Sequence, residues 1–151
     1  DTIRVFNIHL ASIHISGLEK DINDHLDQNE QKKQWTDLKT LIRKLASGFK
    51  KRSLQADAIS EYIAHSPYPV IVCGDLNDTP GSYAYQRLNN SLQDAFRESG
   101  GGLGSTYIGF FPSLRIDYML FSPGIENAFF QTENIKLSDH KPLIGGFRLS
   151  E

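Results

Sequence analysis

Asp75 and Asn77 stand one residue apart in VIVCGDLNDTP, residues 70–80, directly after an apolar run. Three further stretches break strand-like patterns in the same way: Asn7 and His9 in TIRVFNIHL, Arg115 and Asp117 in RIDYML, and Asp139 and His140 in SDHKPL. Carboxylate and amide oxygens are hard donors of the kind Mg²⁺ takes in octahedral, partly hydrated sites. A histidine beside a carboxylate supplies a general acid or base, and a further Asp can orient its ring. A second histidine and an arginine supply donors to a phosphate oxygen. Hard cation, acid–base group and oxyanion donors are together the requirements for hydrolysing a phosphate ester. Each stretch alone has a plainer reading. His9 fits an edge or core histidine, Asp117 can simply satisfy Arg115, and Asp139-His140 can be an ordinary turn. The set of four carries the chemistry.

Elements must bring these residues together. Val70–Cys73 is a β-branched apolar run bounded by Pro69 and Gly74, which predicts a strand covered on both faces. If the backbone stays extended, Asp75 and Asn77 project to one side at its carboxyl end, where open α/β sheets gather ligands. Thr79 and Pro80 read as the N-cap and first residue of a helix around Ser82–Leu88. In residues 2–10, Ile3, Val5, Asn7 and His9 share one face, and Arg4, Phe6, Ile8 and Leu10 the other. Helical spacing begins at Trp35 and runs through Leu38, Leu41, Ile42, Leu45 and Phe49, with Trp35 and Phe49 facing a core. After Gly48 a second helical set follows in Ala56, Ile59, Tyr62 and Ile63. LQDAFRESGGGLG predicts a helical turn run out by glycines. STYIGFF, RIDYML, NAFFQT and PLIGGFRLS predict strands, with turns at Pro112-Ser113, Pro123-Gly124 and Ser138–Pro142.

The chain has 151 residues, 39% of them hydrophobic, which suits one domain with its own core. A net charge of −2 gives no global pull toward nucleic acid or an anionic membrane. A single cysteine, Cys73, excludes an intramolecular disulfide and any multi-cysteine metal site. No stretch is long and apolar enough for a membrane helix. Lys50-Lys51-Arg52 reads as a solvated face; an alternative sends Arg52, ahead of Gln55, toward the site. His14, His25 and His65 carry no partner pattern. The polar stretch 16–34 is a candidate substrate loop.

NIHL, GDLNDTP, RIDYML and SDHKPL, in that order, resemble the later motifs of the endonuclease/exonuclease/phosphatase family, which includes DNase I-like nucleases, abasic-site endonucleases, inositol polyphosphate phosphatases and neutral sphingomyelinases. The resemblance implies a DNase I-like α/β fold, part of a four-layer α/β sandwich. It also implies that residues 1–151 form the C-terminal part of the family domain, whose early motifs, a strand Asn and a metal-binding Glu, have no counterpart here. By the same resemblance His9 contacts the scissile phosphate and Asp75 positions or deprotonates the attacking water. Asn77 helps hold water, phosphate or metal, and Asp139 is a metal-proximal carboxylate. His140 contacts the phosphate or acts as base, oriented by Asp117. The metal set is then Asp139, Asp75 and Asn77, holding Mg²⁺ or Mn²⁺. Ile8 stands where the family usually has Thr, a swap the alternation tolerates because position 8 faces away from His9.

The expectation is a metal-dependent hydrolase of phosphate esters, phosphodiester or phosphomonoester. The competing reading is a catalytically incomplete half-domain or a binding module that retains the motifs. Nucleic acid, phosphoinositide and other phospholipid headgroups all remain open as substrate. A further expectation is that the isolated piece, lacking the family's glutamate, is poorly active, and that a sheet face left bare, with only the helices of residues 35–65 and 82–96 to cover the strands, either drives self-association or marks a piece cut from a larger partner chain.

Overall fold

The computed structural model describes residues 2–13, 31–108, 114–135 and 137–149, with side chains in the first helix from residue 38 onward. The expectations for residues 16–34 reach that helix only at its start, and those for His14, His25, the Trp35 side chain and the Pro112-Ser113 turn lie outside the described residues. Strand β1 spans Arg4–His9 and is followed by helix α1, Gln31–Ala64. Strand β2 (Val70–Asp75) leads to the short helix α2 (Tyr83–Asn89), then β3 (Gln93–Asp94) and α3 (Ala95–Ser99). Strands β4 (Asp117–Phe121), β5 (Ile125–Thr132) and β6 (Leu143–Leu149) complete the order.

One sheet has the order β1-β2-β4-β3, with β1 parallel to β2 and the other neighbours antiparallel; β5 and β6 pair as a separate antiparallel hairpin. The β2 run is apolar throughout because both its faces are covered. Val70 and Val72 pack with Ala56 and Ile63 of α1 and Leu88 of α2, in one core. Ile71 packs with Phe121, Ile125 and Phe130 in a second, against which Cys73, Met119 and Phe147 also lie. The β5–β6 hairpin and α3 therefore share the work of covering the sheet, which sequence reading had given to the helices alone. Helices on one face and a hairpin on the other make the mixed α/β, DNase I-like architecture that the motifs imply. Among the described residues, no helix is long and apolar enough to cross a membrane.

Three local expectations change. Gly48 does not divide α1, although a mid-helix glycine costs about 1 kcal/mol relative to Ala. A Cβ there would lie 2.4 Å from Ile13 Cγ1, so the small residue is what lets the chain after β1 pack on the helix. The buried stripe Gly48, Arg52, Ala56, Ser60 and Ile63 follows helical spacing; Phe49 falls off it and is 50% exposed. The N-cap of α2 is Ser82, whose hydroxyl accepts from Tyr85 N–H, and not Thr79. Thr79 instead opens a turn closed by Ser82 N–H to its carbonyl at 3.0 Å. Of STYIGFF, the described part contributes a single bridge, Tyr107 to His140.

Candidate active site

The site is built on one row across the sheet. In the β1–β2 register His9 lies beside Asp75, and in the β2–β4 register Asp75 lies beside Asp117. Residues that neighbour across a ladder project to the same face, so three strands deliver three side chains to one spot. The β1 approach to β2 is close: a Cβ on Gly74 would sit 1.8 Å from Ile8 O, and the residue adopts φ 143°. Only glycine fits immediately before Asp75.

β2 ends at Asp75, so Asn77 does not reach the site by strand alternation. Its backbone turns to φ 51°, a left-handed conformation that Asn tolerates. Its N–H donates to Asp75 Oδ1 at 2.6 Å. Its Nδ2 donates to Asp75 Oδ2 and to Leu10 O, both at 3.0 Å. The amide nitrogen is thereby engaged, and among the described residues no hydrogen bond reaches the Asn77 amide oxygen.

His140 comes from the turn before β6. Lys141 N–H donates to Thr106 O, Ile108 N–H donates to Asp139 O, each at 2.7 Å, and the Tyr107 ring meets the imidazole edge-on at 5.4 Å. His140 Nδ1 lies 2.8 Å from Asp117 Oδ2. An ionised carboxylate only accepts, so Nδ1 carries the proton and Nε2 faces Asp75 Oδ2, 4.0 Å away. On the other side His9 Nε2 is 3.5 Å from the same Asp75 oxygen.

Partial burial pushes the Asp75 carboxyl above the ordinary carboxylate range. The Asn77 N–H opposes that, Asp117 adds to it, and His140 and His9 oppose it. For His140 burial works downward but is outweighed by the Asp117 hydrogen bond and the charges of Asp117, Asp75 and Asp139, so its pKa is raised. Both shifts run upward, the Asp75 carboxyl through burial and the His140 imidazole through Asp117.

His9, Asp75, Asn77, Asp117 and His140 thus meet in space. Asp139 is adjacent in sequence but exposed, and one ligand atom each from Asp75, Asp117 and His140 lies within 4.8 Å of the others, a group that does not include it. Two carboxylates, an imidazole nitrogen and the open Asn77 oxygen are a donor set that suits a hard or borderline divalent cation. Arg115 takes no part. It precedes β4 and turns away, its Nη1 donating to Asp94 Oδ2 at 2.7 Å among the rings of Tyr85, Phe96 and Tyr118.

Sequence reading passed over Thr106, which is fully buried and whose Oγ1 accepts from both Ile116 and Asp117 N–H at 3.1 Å. It fixes the backbone that carries Asp117, and nothing in its local spacing marks it. Asp78 was also passed over. It is buried and takes the Arg52 Nε–H at 2.8 Å, so Arg52 leaves the solvated face where Lys50 and Lys51 remain.

Residues 46–140 match the endonuclease/exonuclease/phosphatase family. No curated protein matches the sequence. Among solved structures, an endonuclease/exonuclease/phosphatase from Bacteroides vulgatus is 24% identical with a TM-score of 0.59, over 68% of this chain and 46% of that one. A mannosyl-6-phosphatase of Bacteroides thetaiotaomicron gives 19% identity and a TM-score of 0.52, covering 66% of this chain and 45% of that one. Truncated Caenorhabditis elegans TDP2 gives 18% and 0.54, covering 93% and 53%. These likenesses show a shared fold. The chain spans about half the length of the structures it matches.

Proposed function

Since the chain belongs to the endonuclease/exonuclease/phosphatase family, we propose that it carries the late-motif half of a phosphoesterase site and forms, over residues 1–151, the C-terminal part of such a domain. The observation that carries the reading is a single carboxylate, Asp75, flanked by His9 at 3.5 Å and His140 at 4.0 Å, with Asp117 behind His140. One named neighbour is a phosphatase, which supports a phosphate ester as the substrate class.

In this reading water attacks phosphorus in line, a new P–O bond forms and the bond to the leaving oxygen breaks. Asp75 orients the water and accepts its proton, a role its raised pKa suits. Asn77 holds that carboxylate in place through its backbone and side-chain N–H groups. His140, held at Nδ1–H by Asp117, donates from Nε2–H to the phosphate in its protonated form, and His9 donates to a second oxygen. Asp75, Asp117, Asn77 and the neighbouring Asp139 are the residues to hold Mg²⁺ or Mn²⁺. When bound, the cation supplies positive charge against the charge that develops on phosphate oxygens.

Val5 on the site-bearing face of β1 is 62% exposed, and among the described residues β1 is the edge strand of its sheet. This is the surface through which we expect the piece to self-associate when the rest of the domain is not there to cover it. Hydrolysis of a generic phosphodiester and phosphomonoester by the native protein, with Mg²⁺ and with a chelator, tests the function. Metal-dependent turnover lost in His140→Ala supports it; turnover indifferent to both changes overturns it.

A further inference from the structure

The site straddles two chain exits. Leu10 N–H donates to Asp75 O at 2.9 Å, and past that bond β1 and β2 continue as separate segments, Leu10–Ile13 and Leu76–Ser82. His9 and Asp75 are the last pair of the β1–β2 ladder and Asn77 stands beyond it, bonded to Leu10 O, so the gap between the exits sets where Asn77 stands against that pair.

Arg52 of α1 spans that gap from beneath. Its Nε donates to Asp78 Oδ2 on the β2 exit at 2.8 Å, and its Nη1 donates to Ala11 O on the β1 exit at 3.1 Å. The guanidinium is 1% exposed. One turn further along, Gln55 Oε1 accepts from Ala11 N–H at 2.9 Å. The Tyr118 O–H, shared between Asp78 O at 2.9 Å and Arg115 O at 2.7 Å, adds a further contact to Asp78. A guanidinium is a rigid planar fork that cannot lose its charge, so when buried it dictates where its acceptors lie. A lysine offers a point charge with no such fork. Gly48 marks how tightly the arrangement is fitted, because a Cβ there would lie 3.1 Å from Arg52 Nη1.

We propose that Arg52 is a positioning residue that, with Asp78, fixes the separation of the β1 and β2 exits and hence the placement of Asn77 against the His9–Asp75 pair. The consequence for turnover rests on the phosphoesterase reading above; the geometric consequence does not. The other half of the site, Asp117 and His140, has supports of its own in Thr106 and Tyr107.

The test uses Arg52→Lys, which keeps the charge and loses the fork, and Asp78→Asn, which keeps the shape and loses the charge. Amide hydrogen exchange is followed in both, alongside kcat and KM. Exchange at Ala11 and Asn77 is expected to quicken about tenfold or more while the Asp117 amide, bonded to Thr106, is unchanged. Turnover is expected to fall about tenfold in kcat with KM within about twofold, since sub-ångström misplacement of a reacting group acts on the transition state. Exchange that is unchanged, or quickened equally at all three amides, overturns the proposal, as does failure of both variants to fold. If the unsubstituted protein hydrolyses no phosphate ester, the functional reading fails while the exchange pattern still decides the role of Arg52.

Discussion

His9 and His140 flank the same carboxylate oxygen, yet one is nearly free and the other is gripped. The His9 side chain is 70% exposed, sits on the edge strand β1 and touches Asp75 at 3.5 Å. The His140 side chain is 30% exposed, with a 2.8 Å bond to Asp117 and the Tyr107 ring against it. His9 belongs to a regular strand and His140 to a turn, so element type does not set how well a side chain is held. What sets it is the number of fixed partners around the ring: among the described residues, one for His9 and several for His140. A group that exchanges protons in a defined direction needs a fixed tautomer, and only the gripped histidine has one.

The largest effect expected from this contrast is kinetic. In the native protein, His140→Ala and Asp75→Asn each lower phosphoester turnover by roughly 10²-fold or more, as removal of a positioned acid or base does. His9→Ala is expected to lower it less, because it removes a donor and leaves the proton pathway. Steady-state rates on one substrate rank the three, and an equal loss for His9→Ala and His140→Ala breaks the distinction between the two sides.

A second effect, on stability, isolates the support of the gripped side. Thr106→Val leaves the buried Ile116 N–H and the half-buried Asp117 N–H without their acceptor and is expected to cost about 1–3 kcal/mol in denaturant unfolding. His9→Ala, at an exposed position, stays within about 0.5 kcal/mol. If Thr106→Val is equally silent, the Asp117 backbone is held by something other than that hydroxyl.

The smallest effect is read by proton NMR titration of the metal-free chain. His140 is expected to titrate above the ordinary imidazole range, and Asp117→Asn to bring it down, because the hydrogen bond and charge of Asp117 are the leading causes that raise it. A raised folded-state pKa means that His140 contributes stability which is fully present below its unfolded pKa and is lost as pH rises through the folded value. In Asp117→Asn that window narrows from its upper end. A His140 titration unmoved by the substitution removes Asp117 from the dyad.

Legibility in the sequence followed the range of the interactions. The β2 strand was readable from four consecutive apolar residues, and the opposite faces of β1 from strict alternation, since Phe6 and Ile8 point to the helix-covered core and Val5 and Asn7 to the outside. Gly48 misled because a glycine's local penalty is visible in sequence, whereas Ile13, which needs the space, is a distant neighbour brought there by folding. Asn77 misled in the other direction. Its position near Asp75 was readable, but it gets there through a left-handed turn that two hydrogen bonds to the Asp75 carboxylate stabilise.

The sequence by itself determined which polar residues are candidates for the site and in what order, because four motifs each keep them within four positions of a strand end. It also determined the mixed α/β class, through the contrast of strand and helix periodicity. Only the tertiary structure decided the partners. Arg115 lay two residues from Asp117 and was an equal candidate for it, yet it pairs with Asp94, while Asp117 takes His140. Arg52 left its basic cluster to pair with Asp78, 26 residues away. Strand register brought His9, Asp75 and Asp117 into one row, and burial of the surrounding segments then required each charged group to find an opposite charge or a hydrogen bond. Pairing of that kind depends on which surfaces become neighbours on folding, and spacing along the chain does not record it.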